Sequence, residues 1–431
     1  MVGVLCQWKT DYFFSSNRGT QTRFESAVTA CQERRLAYPE TFPDLEISNT
    51  DRFDSRLIDY GYRRWTDLFN PRQLLHLSLL SEALEAYDQP VRAALSMAFS
   101  DHLTTNCMLT SYAAGWRRLT PLFSLRAFRH IPRPVELNPW VDGSGRGSFP
   151  NTVRKLMRAA EYARLPQEPV LKGGFRPVPA VGAERPPVVK CGTARDLSFL
   201  DDASVDLVLT DPPYFDNIAY SELSEFFLPW LRQLNVVSSN NSVEQVLLES
   251  LVGRRKDPET IQRYTTGLSD AFGEVTRVLK PGGVVMFSYR HTLPDAWLAL
   301  AKAIAPHPLA AIRVLPAPGE AGVGLHAHEG TGLWDAVFVF RRHRTEVTYN
   351  GASLSLTKAQ VASAKATATS WARKLKKAPL PFTKIDRVTI QRAALVIAAL
   401  SSQKCRTVSS ALQLGQALHD AAWINGVLCH Y

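Results

Sequence analysis

Four consecutive residues, Asp211-Pro212-Pro213-Tyr214, carry the densest chemistry in the sequence. An amine attached to an aromatic heterocycle is a poor nucleophile, because its lone pair is delocalised into the ring. A carboxylate accepting one of its N–H groups, and a carbonyl set by the following proline accepting the other, would hold the nitrogen and favour its pyramidal form. The ring of Tyr214 could stack on the heterocycle. The tetrapeptide therefore reads as an amine clamp, with Asp211 and the Pro212 carbonyl as acceptors, Pro213 shaping the turn and Tyr214 as platform. Asp and Pro are also ordinary turn residues, so the surroundings have to decide.

The element that would position the clamp is the apolar run Val205 to Thr210, which predicts a buried strand of a parallel sheet. Two prolines lack the N–H a ladder needs, so the backbone must leave the sheet at Asp211. That puts Asp211 and Tyr214 at the carboxyl end of a strand, where open α/β sheets bind ligands. Beyond the turn, Phe215, Asn217 and Tyr220 are candidates for substrate contact, and Ser221 to Leu234 predicts an amphipathic helix whose aromatics are mostly core. Val188 to Gly192 reads as an earlier strand, followed by a turn through Thr193, Ala194 and Asp196. A helix from Pro258 to Leu279 is expected to stop at Lys280-Pro281-Gly282-Gly283. A buried strand at 284–289, a helix at 293–305 and strands at 310–315 and 334–340 follow. His291, just past the 284–289 strand, could touch substrate or serve a structural hydrogen bond.

Asp-Pro-Pro-Tyr after an apolar strand resembles motif IV of the S-adenosylmethionine-dependent amino-methyltransferases of DNA, in the Asp form of the adenine-N6 enzymes. The run Asp67-Leu68-Phe69-Asn70-Pro71-Arg72-Gln73-Leu74-Leu75 resembles the region ahead of the methylase domain in large adenine-specific methylases, the DUF1156 family. The helix, strand, helix and two-strand succession of 258–342 is similar to the second half of the methyltransferase sheet, whose last strand is antiparallel. The resemblance covers most of 57–342. It implies an α/β fold with a Rossmann-like class I methyltransferase sheet, S-adenosylmethionine as cofactor, DNA as partner and methyl transfer to the exocyclic amine of adenine. It also implies a cofactor contact at Thr193, Ala194 and Asp196, although Thr193 stands where the family usually has an acid. The family's glycine-rich turn, Phe-x-Gly-x-Gly after a strand, has no good copy in this chain. The Gly143 to Ser148 loop follows only a short, proline-interrupted run and is read as a connector. The chain is expected to begin too late to include that turn, to lack the first strands of the sheet, and to need a second protein chain that supplies the motif. Two other readings are a non-catalytic DNA-binding component and a methyltransferase acting on RNA or another amine.

The chain has 431 residues and a formal charge of +10, a balance that favours nucleic acid or another acidic surface without choosing between them. Candidate phosphate contacts are Arg63, Arg64 and Arg72 among aromatics near the start of a helix expected at Pro71, Arg254 and Arg255 in a loop, and Lys374, Lys376 and Lys377 in the tail. The alternative at each is a solvated face. Six dispersed cysteines without a Cys-x-x-Cys pair argue against a zinc ribbon or a disulfide framework. No metal is expected. No apolar run approaches the roughly 20 residues needed to cross a bilayer, and the start lacks a signal-peptide pattern, so a cytoplasmic protein is expected. The expected organisation is an irregular segment at 1–56, including a loop at Ser15 to Thr20 and a helix such as Phe24 to Arg35, a mainly helical region at 57–163, a Pro/Gly-rich linker at 164–187, the α/β region at 188–345 and a basic helical tail at 346–431.

Overall fold

The computed structural model describes residues 3–7, 11–15, 17–49, 52–113, 118–125, 127–132, 134–143, 146–170, 173–180, 187–190, 192–216, 218–237, 250–251, 257–319, 332–343, 354–401 and 412–421. The chain divides into two units: Met1–Val188 with Tyr220–Ser250, and Val189–Ala219 with Leu251–Tyr431. Among the described residues no helix is long and apolar enough to cross a membrane.

The first unit opens with an antiparallel hairpin of β1 (Gly3–Gln7) and β2 (Asp11–Ser15), then α1 (Arg18–Ala37). The irregular start and the loop through Thr20 are therefore corrected, while the helix expected at Phe24 to Arg35 lies within α1. Asn17 ends the extended chain and caps α1, its side chain accepting the Thr20 N–H. The helix expected at Pro71 forms as α2 (Pro71–Glu85): proline stands at its first position, and Asn70 and Gln73 exchange side-chain and backbone hydrogen bonds. α3 (Val91–Leu103) and α4 (Phe149–Arg164) complete the larger helices. The predicted helix after the Asp-Pro-Pro-Tyr turn forms as two pieces, α5 (Tyr220–Ser224) and α6 (Leu228–Gln233). Pro229 cannot donate to the Glu225 carbonyl, and the helix breaks there. Its Phe226, Trp230 and Leu234 join Trp65, Phe69, Leu77 and Phe99 in one buried cluster.

The second unit is a mixed α/β structure around a four-stranded sheet. Its strands are β3 (Val205–Thr210), β4 (Leu279–Tyr289), β5 (Leu309–Pro318) and β6 (Trp334–Arg342), in the order β3-β4-β6-β5. β3 runs parallel to β4, and β6 is antiparallel to both of its neighbours. α7 (Pro258–Val278) leads into β4, and α8 (Pro294–Ile304) follows it. Period-two alternation sends Val285, Phe287 and Tyr289 into the core, where Phe287 stacks on Phe338 with centroids 5.2 Å apart. The tail is not a separate element. α9 (Lys358–Leu375) packs on α10 (Lys384–Leu400), which packs on β5 and β6 and contributes Ile390, Leu395 and Val396 to the same core.

Three expectations for the sheet need correction. β3 forms where predicted but is an edge strand among the described residues, with Leu207 53 % and Leu209 74 % exposed. Both lie on the face of Val284 and Met286, opposite to the core side of β4. Residues 188–190 form no strand, and Val188 and Val189 are exposed; Cys191 lies outside the described residues. An extended segment without a neighbour to share hydrogen bonds gains nothing from strand geometry. Finally, Lys280 to Gly283 belongs to β4, where it forms an irregularity: the register jumps from Val205 opposite Leu279 to Leu207 opposite Val284. Gly282 takes φ +85°, and a Cβ on Gly283 would stand 2.9 Å from the Lys280 carbonyl oxygen, so glycine is needed at both.

Candidate functional site

β3 ends at Thr210, and Asp211 to Tyr214 leaves the sheet from its carboxyl end. The register sets Thr210 opposite Phe287, so the next residue of each strand brings Asp211 beside Ser288. The Ser288 hydroxyl donates to Asp211 Oδ1 in a short contact. The Tyr214 hydroxyl is 2.9 Å from both Asp211 Oδ1 and Ser288 Oγ. Burial pushes the Tyr214 hydroxyl far above the ordinary phenol range, so it stays a donor. Asp211 itself is exposed, and its Oδ2 accepts nothing among the described residues.

Behind these groups the turn is braced by buried tyrosines. Tyr264 donates its hydroxyl to the Pro213 carbonyl at 2.8 Å, and the Phe215 N–H reaches the same oxygen at 3.0 Å. Burial raises the Tyr264 hydroxyl to about 12 and pushes the Tyr289 hydroxyl well above the ordinary phenol range. The Tyr214 ring meets the Tyr289 ring at 60° with centroids 5.4 Å apart. The Pro213 carbonyl is thus engaged, while the carbonyl of Pro212, a buried residue, has no donor among the described residues. A carboxylate oxygen and a carbonyl oxygen therefore remain as acceptors beside an aromatic ring held through its hydroxyl.

Phe215 does not face this group. It adopts φ +52°, is 1 % exposed and packs edge-on against Tyr264 and His291, so its predicted substrate contact is corrected to a core role. His291 is likewise buried and used internally. Its Nδ1 accepts the Leu293 N–H at 3.0 Å, which requires the proton on Nε2, and Nε2 stands 2.7 Å from Asp216 Oδ1 as donor. The structural hydrogen-bonding reading of His291 is the one the geometry supports. Asn217 lies outside the described residues. Tyr220 is half-exposed at the start of α5, in the first unit.

Thr193, Ala194 and Asp196 all lie exposed on a turn. The Ser198 N–H bonds the Asp196 carboxylate at 2.9 Å and holds it below its ordinary range. Glu274 accepts the Leu197 N–H at 2.7 Å, and Arg277 donates to the Leu200 carbonyl at 3.0 Å, so α7 pins the turn.

The basic-aromatic stretch near α2 is also corrected. Trp65 and Phe69 are buried and cannot stack on a base. Arg72 grips Glu136 with two bonds of 2.6 Å and lies over the Phe24 ring at 5.3 Å. Arg63 donates to the carbonyls of Ile58 and Tyr62, and Arg64 makes a 3.9 Å exposed pair with Glu46. Arg254 and Arg255 lie outside the described residues. Lys374, Lys376 and Lys377 are exposed at the end of α9, with the Lys374 ammonium 4.6 Å from the Trp371 ring centroid.

Sequence reasoning missed Ser288 and Tyr264. The available signal for Ser288 was a small polar residue in Val284-Val285-Met286-Phe287-Ser288-Tyr289, one residue before that strand ends. Nothing in the helical pattern of α7 marked Tyr264. Compared with models of known protein families, the chain matches none. A comparison with curated proteins finds no match either.

Proposed function

We propose that this chain is the amine-binding part of an S-adenosylmethionine-dependent DNA adenine-N6 methyltransferase of the DUF1156 type. The observation that carries the reading is the turn at the carboxyl end of β3, where Asp211 Oδ2 and the Pro212 carbonyl are left as acceptors beside Tyr214. In this reading those two oxygens take the two N–H groups of the exocyclic amine, and Tyr214 stacks on the extruded adenine. Ser288 fixes Asp211, and Tyr264 fixes the turn by occupying the Pro213 carbonyl. The class I sheet is read as incomplete. Its parallel β3–β4 pair and antiparallel last strand support that reading.

Because the sequence carries no good copy of the Phe-x-Gly-x-Gly turn, the reading assigns the glycine-rich S-adenosylmethionine motif to a second protein chain. The unpaired edge of β3 is where strands from that chain would continue the sheet. A cytoplasmic setting goes with this reading.

The test is methyl transfer to DNA by this chain together with a co-encoded partner protein. Asp211→Ala should lower the rate at least about a hundredfold, the scale of losing a preorganised polar contact in a transition state; unchanged transfer removes the assignment. Analysis of the methylated product on DNA and on RNA separates adenine-N6 transfer in DNA from the RNA alternative. Calorimetry with S-adenosylmethionine examines the division of labour: binding to the isolated chain removes the need for a partner, and binding only in its presence supports it. Nucleic-acid binding without transfer under any pairing would favour the non-catalytic component.

A further inference from the structure

The first unit contains a groove of about 1080 Å³ between the loop around Gly143 to Gly147 and α4. Five cations line it: Arg146, Arg154, Lys155, Arg158 and Arg164. The lining carboxylates are two, Asp101 and Glu161. Lys155 pairs with Asp101 at 3.0 Å and Arg154 with Asp142, whereas Arg146, Arg158 and Arg164 have no ion-pair partner among the described residues. The excess of unpaired guanidinium groups at one groove is a stored electrostatic repulsion that an anionic partner would relieve.

The groove is built on a fixed support. Gly147 has φ +83°, and a Cβ there would lie 2.3 Å from Thr105, so the close approach of loop to α3 requires glycine. The Gly147 carbonyl accepts from Thr105 Oγ1 at 2.7 Å and from His102 Nδ1 at 2.6 Å. With its Nδ1 donating, His102 accepts through Nε2 from His76 Nε2, 3.0 Å away. Arg146 therefore projects from a pinned loop. Along the groove's other wall, Arg154 and Arg158 are four residues apart and Arg158 and Arg164 six, which are rises of about 6 and about 9 Å on a helix. One strand of a duplex carries a phosphate about every 3.4 Å of axis, so these spacings come to about two and about three phosphate steps.

We propose that this groove docks the phosphodiester backbone of a nucleic acid, giving sequence-independent affinity. It does not rest on methyl transfer, because the groove's residues take no part in the amine clamp. A lipid surface is the alternative that vesicle binding separates, since Met157 and Tyr162 of α4 are exposed beside the cations.

The experiment is fluorescence anisotropy of the full chain with labelled duplex DNA, single-stranded DNA and RNA of equal length, over a range of salt. Replacing Arg146, Arg158 and Arg164 together by serine should weaken binding at least about tenfold and flatten the log–log salt dependence by up to about 2.7 for duplex DNA, roughly 0.9 for each phosphate no longer neutralised. The melting curve should not move, since none of the three makes an ion pair in the fold. A matching serine triple at Lys374, Lys376 and Lys377 serves as the control. Unchanged affinity and slope in the groove variant, or weakening confined to the tail variant, overturns the proposal. So does a groove variant that no longer binds anionic phosphatidylserine vesicles while keeping its affinity for all three nucleic acids. Whether DNA or RNA shows the steeper groove-dependent slope names the physiological ligand.

Discussion

The segments Tyr62 to His76 and Asp211 to Asp216 are made of similar material, aromatic rings interleaved with charged and proline residues, yet they use it in opposite directions. In the first, Trp65 and Phe69 are sealed in the core, and Arg72 closes on Glu136. In the second, two prolines take the backbone out of the sheet, leaving Asp211 exposed and the Pro212 carbonyl without a donor among the described residues. Composition does not separate the two. The difference lies in whether the backbone's own hydrogen bonding is satisfied: a 3₁₀ turn and a capped helix start engage the N–H groups of Arg64, Asp67, Phe69, Asn70 and Gln73 in the first, while a strand stopped by prolines leaves acceptors over.

That contrast can be broken by substitution. The largest effect is expected from Trp65→Ala, which empties a fully buried site and should cost about 3–5 kcal/mol of stability, read from urea unfolding; a drop below about 1 kcal/mol would mean the ring is not core. A graded effect should come with acid. Burial lowers His76 to about 3 and His102 to about 4, both well under the ordinary 6.5. The folded chain thus binds fewer protons than the unfolded chain, and this contribution is full above pH 6.5 and fades as pH falls toward 4 and 3. The melting temperature of the wild type should fall more steeply below pH 6.5 than that of the double variant His76→Gln, His102→Gln, and parallel curves would contradict the neutral histidine pair. The smallest change should follow Tyr264→Phe. It removes one hydrogen bond to the Pro213 carbonyl and should cost about 1 kcal/mol, while lowering methyl transfer if the turn needs that brace. Reduced stability with full transfer would make Tyr264 purely structural.

Much of the second unit was legible because its signals are local. The apolar run before Asp211 and the capping pattern at Asn70-Pro71 act within a few residues of themselves, and β3 and α2 lie where those patterns put them. Helix breaks and partners were less legible. The split of α5 from α6 at Pro229 was readable in principle. The burial of Glu222 and Glu225 against Arg52, with a 2.8 Å bond from Arg52 to Glu225, joins positions 173 residues apart and had no mark in either segment.

By itself the sequence determined that a strand would end at an acid followed by two prolines, because proline's missing N–H and restricted φ act wherever the residue stands. It likewise determined where helices begin, since caps are contacts between near neighbours. Only the tertiary structure decided that Ser288 reaches Asp211, that Phe215 and His291 turn inward, that Leu207 and Leu209 are left on an open edge, and that the free cations gather along α4 rather than beside Trp65. Those outcomes depend on which strand or helix lies alongside, and side-chain partners across a ladder or a groove are set by register and packing between segments far apart in the chain.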